Sequence, residues 1–284
     1  MRSGYVTLAT GSKIYIEQAV NLALSIKLND PTRGVCLVTN AATYIPEEYR
    51  KLFAHIVLLS DMEGYFGCLN KLRVRDASPF DESMFIDSDC LVIKNDMDRH
   101  WLKLGGAQGF GLAGECISRG VWYGIKIEEA ILQLGIPHFV KMNSGVFYFD
   151  KSEKSAQLFD TANRLVKTHG TLLGQRHRNK IQLADEPFLG VAMAMHSIAP
   201  ISYRPEEGSI MITTVRSSRA NFDPFQGESF LLKHDKFMFL DRFLPRVRVS
   251  HSPTIAHFVQ LKPLNHYRGI SNKLRGHFGV REMN

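Results

Sequence analysis

No stretch of this chain reaches the about 18 consecutive apolar residues that a membrane-spanning helix needs, so no span is expected. The first thirteen residues, MRSGYVTLATGSK, lack a long apolar core and a cleavage site, which argues against a secretory signal peptide. Cysteine is scarce. Cys36, Cys68, Cys90 and Cys116 show no CxxC spacing and are too sparse for a disulfide framework. Buried free thiols in a reducing compartment are the expectation. Internal repeats, low-complexity tracts and a clear linker are also missing. These absences predict a compact cytoplasmic protein.

What is present fits that frame. A length of 284 residues is ample for a sizeable core, and 44% hydrophobic with 22% charged residues is ordinary for a folded protein. Bases exceed acids, 35 to 28, and the excess is uneven. Residues 241–284 hold eight bases and two acids, nearly the whole net charge of +7. Such a block suits a nucleotide, a nucleic acid or an anionic membrane, or is simply a solvated tail. No nucleic-acid module or aromatic-interleaved basic repeat accompanies it, so no nucleic acid is expected. Peripheral contact with the inner face of a membrane through 241–284 is the expectation that the block raises.

Hydrophobic periodicity gives the order of elements. YVTLAT (5–10) reads as a buried strand ended by Gly11. Ile14, Ala19, Leu22, Ala23 and Ile26 recur at helical spacing over 13–28, and Asn29-Asp30-Pro31 stops that helix. GVCLVT (34–39) is a second strand, Pro46-Glu47-Glu48 opens a short helix, and HIVLL (55–59) is a third strand. Residues 69–77 read as helix and 83–87 as a fourth strand. This β-α-β-α-β-α-β order predicts an α/β fold with a mainly parallel central sheet flanked by helices. Further on, GVFYFD (145–150) is a strand, 152–169 and 185–195 are helices, 203–235 holds short strand candidates, and TIAHF (254–258) is a late strand.

The most informative stretch is SMFIDSDCLV (83–92), where Asp87-Ser88-Asp89 interrupts an apolar run. In open α/β sheets ligands bind outside the carboxyl ends of strands. Two carboxylates this close repel unless a cation neutralises them. Hard divalent ions take oxygen ligands and keep positions for substrate phosphates. The pattern suggests a metal that neutralises a diphosphate, although Asp-x-Asp also occurs in plain exposed turns. A haloacid dehalogenase-like phosphatase, with Asp87 as nucleophile, carries a similar pattern. There the motif follows the first strand, whereas here it follows the fourth. A non-catalytic nucleotide or nucleic-acid binder is the non-enzyme alternative.

Five segments together resemble glycosyltransferase family 8, which includes glycogenin and bacterial lipopolysaccharide galactosyl- and glucosyltransferases. They are YVTLATGSKIYIEQAVNLALSI (5–26), FIDSDCLVI (85–93) with NKL (70–72) upstream, MNSGVFYFD (142–150), ADEPFLGVAM (184–193) and HFVQLKP (257–263). The resemblance implies a GT-A fold over residues 1–240, completed by a late metal-ligand strand and a basic C-terminal extension over 241–284. It implies transfer of a hexose from a nucleotide sugar, commonly UDP-linked, to a glycan, lipid-linked or other hydroxyl acceptor, with retention of configuration. Asp87, Asp89 and His257 would hold Mn²⁺, with Mg²⁺ as the alternative; an imidazole in the set favours Mn²⁺. Ala9, Thr10, Tyr15 and Ser88 would hold the nucleoside, and Lys71 and Lys262 its diphosphate. Asn143, Ser144 and Asp185 would face the sugar. Asp185 also suits a helix N-cap.

Two departures stand out. The family's late element usually reads His-x-x-Gly-x-x-Lys-Pro, whereas here Gln260 replaces the glycine and Lys262 comes one residue early. Glu186 stands where the family usually has glutamine. A carboxylate there would stabilise, or attack, positive charge at an anomeric carbon. Residues 114–124 and 204–228, rich in glycine and turn residues, are candidate lids.

Overall fold

The computed structural model describes residues 2–40, 45–106, 109–177, 180–203, 210–215, 220–234 and 248–282. The first half runs β1 (Ser3–Leu8), α1 (Lys13–Asn29), β2 (Gly34–Thr39), α2 (Glu47–Arg50) and β3 (His55–Leu58). A 3-10 segment (Gly67–Arg73) then leads into α3 (Val74–Ala77) and β4 (Glu82–Ile86). The helical stretch expected over 69–77 is present in two parts, the tighter 3-10 coil that Gly67 opens at φ 53° and then α3. After β5 (Cys90–Val92) come α4 (Met97–Gly105), β6 (Phe110–Ile117), β7 (Val121–Trp122), β8 (Ile125–Lys126), α5 (Ile127–Leu134) and β9 (Phe139–Asp150). Then follow α6 (Glu153–Leu173), β10 (Gln175–His177), β11 (Lys180–Gln182), α7 (Asp185–Met195), β12 (Ile210–Thr214), β13 (Ala220–Asp223) and β14 (Glu228–His234). The chain closes with β15 (Arg248–His251), β16 (Pro253–His257) and α8 (Leu264–Phe278).

Six strands form the central sheet in the order β3-β2-β1-β4-β9-β6. The first four are parallel, and β9 runs antiparallel to both β4 and β6. Neighbouring residues send side chains to opposite faces. Tyr5, Met84 and Val146 belong to one buried cluster, and Val6, Phe85 and Phe147 to the other. Burial on both faces explains the near-continuous apolar runs that marked these strands in the sequence. On the second face Phe85 stacks on Phe147 at 4.7 Å and 17°.

A smaller sheet, β12-β16-β5, explains why the apolar run breaks at Asp87-Ser88-Asp89. β4 ends in the large sheet and β5 begins in the small one, so the three residues are the crossover between them. Polar side chains of α1 hold β5 in place. The Ser25 hydroxyl accepts from the Val92 N–H at 3.0 Å, and Asn29 Nδ2 donates to the Val92 carbonyl at 3.1 Å. β16 then pairs antiparallel to β5, with His257 opposite Cys90.

α8 packs on α1 through buried Tyr267, Ile270, Leu274 and Arg275, while Arg268 and Lys273 are exposed. In the sequence this segment stood out only as part of a basic block; 241–247 and 283–284 lie outside the described residues. Arg275 is buried because Glu17, Asn21 and the Arg281 carbonyl satisfy its guanidinium. Among the described residues no helix is long and apolar enough to cross a membrane. Cys36 and Cys90 are buried free thiols, but Cys68 and Cys116 are exposed, contrary to the expectation of four buried ones.

Candidate active site

The crossover brings the motif to the mouth of a cleft. The Asp87 N–H donates to the Gly145 carbonyl at 2.9 Å, and the Asp87 carbonyl accepts the Cys90 N–H at 3.0 Å in a tight turn. The Phe258 N–H donates to the Asp89 carbonyl at 3.0 Å, which ties the late strand to the motif. As a result His257 Nε2 lies 3.1 Å from Asp89 Oδ1 and 3.9 Å from Asp87 Oδ2. Asp89, Cys90 and His257 offer ligand atoms that all lie within 4.8 Å of one another, a group that could hold a metal ion. Asp87 stands outside that group, its Oδ2 accepting from the Lys71 ammonium at 2.8 Å. Burial raises the Cys90 thiol well above its ordinary pKa.

Gly145 makes room for the imidazole. A Cβ there would lie 3.2 Å from His257 Nδ1 and 3.0 Å from Asn143 Oδ1. Asn143 Oδ1 accepts the Gly145 N–H at 2.9 Å, and its amide nitrogen stands 3.5 Å from His257 Nδ1. The Asn-Ser-Gly sequence thus sets the position of the His257 imidazole.

Lys71 sits at the centre of the polar wall. Its ammonium donates to Asp87 at 2.8 Å and to the Ser144 hydroxyl at 3.2 Å, and stands 3.9 Å from Asp185 Oδ2. Burial disfavours its charge, but Asp185 and Asp87 outweigh that and raise its pKa, so Lys71 stays cationic. Burial raises the Asp87 carboxyl, against the pull of Lys71.

Asp185 and Glu186 open α7, which crosses close over β9. A Cβ on Gly190 would meet the Val140 carbonyl oxygen at 2.3 Å, so only glycine permits that approach. Asp185 is the first helical residue rather than the N-cap; Ala184 takes that place, with no side-chain cap. Asp185 is 2% exposed, and its Oδ2 has no hydrogen-bond partner. A buried orphan acceptor of this kind suits a ligand hydroxyl. Glu186 Oε1 accepts the Ser144 N–H at 3.0 Å and the Ser144 hydroxyl at 3.3 Å. Burial raises the Glu186 carboxyl, while Ser144, Tyr123 and Lys71 pull it back.

Thr10, Tyr15, Lys71, Asp87, Ser88 and Asp89 line a cavity of about 220 Å³. Thr10 and Gly67 also border a neighbouring space of about 430 Å³ that reaches Asn40, Asp61 and Asn70. The two spaces share Thr10 and Gly67 in their walls. Tyr15 is 43% exposed, with its ring free to cover a ligand. Ala9 is buried and lines neither space; its N–H donates to the Val38 carbonyl at 2.9 Å.

Lys262 is not brought into this group. It is exposed, and its ammonium donates to Gln260 Oε1 at 3.2 Å. Gln260 holds φ 55° and Leu261 φ 56°. The left-handed turn that a glycine would make easily is therefore kept without one. Two residues of the site went unread in the sequence. Gln18 accepts from the Ser88 hydroxyl at 3.3 Å; it lies one turn beyond Tyr15 on α1, and that spacing would have found it. Tyr123, half-buried at the turn between β7 and β8 and close enough to Glu186 to affect its charge, gave no such signal.

Comparison with solved structures decides the architecture. The galactosyltransferase LgtC, in complex with donor and acceptor sugar analogues, matches over 95% of this chain and 95% of its own, at 12% identity and a TM-score of 0.56. An active-site variant of LgtC in which glutamate replaces a glutamine matches over the same shares, at 13% identity and 0.55. The fold is that of the GT-A glycosyltransferases. The apo form of the glycosyltransferase GlyE from Streptococcus pneumoniae TIGR4 matches at 15% identity and 0.46, over 71% of this chain and 45% of its own. The chain thus spans about half the length of the GlyE structures it matches. No protein-family model matches the sequence, and no curated protein matches it. The GT-A expectation drawn from the five segments holds at the level of the fold.

Proposed function

We propose that this chain is a glycosyltransferase that moves a hexose from a UDP-linked nucleotide sugar to a hydroxyl of a glycan or lipid-linked acceptor, with retention of configuration. The observation that carries the reading is the convergence, in a GT-A frame, of Asp87, Asp89 and His257 beside Lys71, Ser144, Asp185 and Glu186. Asp87, Asp89 and His257 would hold Mn²⁺, or Mg²⁺ in its place. When bound, the ion supplies Lewis-acid stabilisation of the diphosphate leaving group.

The other residues take roles from their positions. Thr10 and Tyr15 hold base and ribose, with the Tyr15 ring against the base, Ser88 completes that wall, and Ala9, buried beside Thr10, acts only through its backbone. Lys71, kept cationic, opposes the negative charge that grows on the diphosphate. Asn143 and Ser144 face the sugar, and the orphan Oδ2 of Asp185 accepts one of its hydroxyls. As the bond from the anomeric carbon to the diphosphate oxygen breaks, its electron pair leaves with the diphosphate. Glu186 meets the positive charge that develops. The acceptor oxygen then bonds to the anomeric carbon, and its proton passes to the departing diphosphate oxygen. Lys262 reaches the diphosphate only if the turn at Gln260–Leu261 swings inward. Within this reading residues 1–240 form the catalytic body, and 241–284 supply the late metal strand and a basic face for an anionic membrane.

The test is release of nucleoside diphosphate from UDP-, GDP-, ADP- and CDP-hexoses with Mn²⁺. Release from the UDP-linked donors, lost in Asp89→Ala, supports the reading. Glu186→Gln should keep donor affinity and lower turnover; unchanged turnover removes Glu186 from the mechanism. Hydrolysis of a generic phosphate ester with Mg²⁺, and no action on any sugar nucleotide, would favour a phosphatase instead.

A further inference from the structure

The buried side of α1 carries a polar stripe. Gln18, Ser25 and Asn29 are spaced by two turns and then one, so they share a face of the helix, and all three are buried. Two of them are spent on backbone. The Ser25 hydroxyl donates to the Leu22 carbonyl at 2.8 Å and accepts the Val92 N–H at 3.0 Å. Asn29 Nδ2 donates to the Ser25 and Val92 carbonyls, both at 3.1 Å. These two side chains hold β5 to the helix.

Gln18 is only half spent. It is 6% exposed, yet it lines the cavity of about 220 Å³ together with Tyr15, Ser88 and Asp89. Its Oε1 accepts from the Ser88 hydroxyl at 3.3 Å, which leaves Nε2 at the other end of the amide. Among the described residues Nε2 donates to no partner, and it is not one of the unpaired polar atoms sealed from solvent. Buried polar groups in folded proteins are nearly always paired. A donor that is neither paired nor sealed, on a side chain that lines the cavity, opens on that cavity and suits a ligand acceptor.

We propose that Gln18 selects the ribose of the donor, its Nε2 donating to the 2′- or 3′-hydroxyl oxygen while Ser88 fixes which end of the amide points inward. The proposal rests on the transferase reading of the site. The order of parts along a nucleotide places the contact. Base, ribose and diphosphate follow one another, and in that reading the base lies against Tyr15 and the diphosphate against Lys71 and the metal held by the acids. Gln18 comes one turn after Tyr15 on the same helix face and is bonded to Ser88, the residue between the two acids. It therefore stands between the base end and the diphosphate end, where the ribose lies. A site built to pair a substrate hydroxyl rejects the analogue that lacks it, because the buried amide is then left without a partner.

The test is calorimetric titration of UDP, 2′-deoxy-UDP and 3′-deoxy-UDP, each with Mn²⁺, into the wild type, Gln18→Met and Gln18→Leu. Methionine keeps the length of the side chain and removes both ends of the amide; leucine is a second apolar replacement should methionine pack badly. The wild type should bind UDP roughly 10- to 100-fold more tightly than one of the two analogues. In the variants that gap should close through loss of UDP affinity, while the same analogue binds within about twofold of its wild-type affinity. Equal affinity of the wild type for all three nucleotides overturns the proposal without need of a variant. So does a variant that weakens UDP and both analogues by one common factor, as a packing role predicts, or one that keeps the wild-type gap. If the wild type binds none of the three with Mn²⁺, the transferase reading fails, and the role of Gln18 with it.

Discussion

His257 Nε2 lies 3.1 Å from Asp89 Oδ1, although the two residues come from distant parts of the chain. The contact exists because β16 pairs with β5 and the Phe258 N–H reaches the Asp89 carbonyl. If this pair grips an ion, removal of either partner should remove the grip. Asp89→Ala and His257→Ala should each weaken Mn²⁺ on the order of 10-fold or more in a calorimetric titration, because each deletes a ligand. Cys90→Ser separates two ligand sets: affinity unchanged within about twofold supports the carboxylates and His257 alone, and a larger loss places the thiol among the ligands.

Proton and ion compete for His257. Burial disfavours the charged imidazole, yet the hydrogen bond and charge of Asp89, with Asp87 behind it, raise its pKa above the ordinary value. The metal-free protein therefore gains stability from the charged pair below the unfolded-state pKa. That gain is lost as pH rises through the raised folded value. A metal needs the neutral ring, so its effect has the opposite slope. The rise in melting temperature caused by Mn²⁺ should grow steadily from pH 6 to pH 8, measured at fixed ionic strength. In His257→Gln the trend should flatten.

Gly145 lies between Asn143 and His257. A methyl group there would press on Asn143 Oδ1, Ile212 Cδ1 and His257 Nδ1, all at 3.0–3.2 Å. Gly145→Ala should cost about 1–3 kcal/mol of stability by overpacking, read by urea denaturation. Its larger effect should be on the ion, with Mn²⁺ affinity reduced on the order of 10-fold while the protein still folds.

The C-terminal helix is bound to the body by a buried charge. Arg275 donates to Asn21 at 2.6 Å and to Tyr49 at 3.0 Å, and its Nη2 pairs with Glu17. Breaking a buried pair from one side is strongly destabilising, and Arg275→Ala should lower stability by about 3 kcal/mol, measured by chemical denaturation. Removal of 264–282 should yield insoluble protein, because Tyr267, Ile270 and Leu274 cover apolar surface of α1. The charge-reversal pair Arg268→Glu and Lys273→Glu, at exposed positions, should fold normally. It should lose any sedimentation with anionic liposomes in low salt.

Much of the fold was legible in the residues themselves, for identifiable reasons. The strands at 34–39 and 83–87 are buried on both faces, so composition alone marked them. Asp87-Ser88-Asp89 stood out because carboxylates rarely interrupt such a run. The partnership of β5 with β16 was not legible, since strand register between distant segments depends on tertiary packing. Arg275 read as one more surface base because its partners, Glu17 and Asn21, lie at the other end of the chain. Tyr123 gave no signal because its local preference contradicts its conformation, a turn residue at φ 53°. Conflicts of that kind gather at functional sites.

The most direct test of metal-dependent nucleotide binding is calorimetric titration of UDP into the protein with and without Mn²⁺. UDP should bind only when the ion is present, and binding should disappear in Asp89→Ala. Failure of UDP to bind in the presence of Mn²⁺, or equal binding by wild type and Asp89→Ala, would contradict the role given to Asp87, Asp89 and His257.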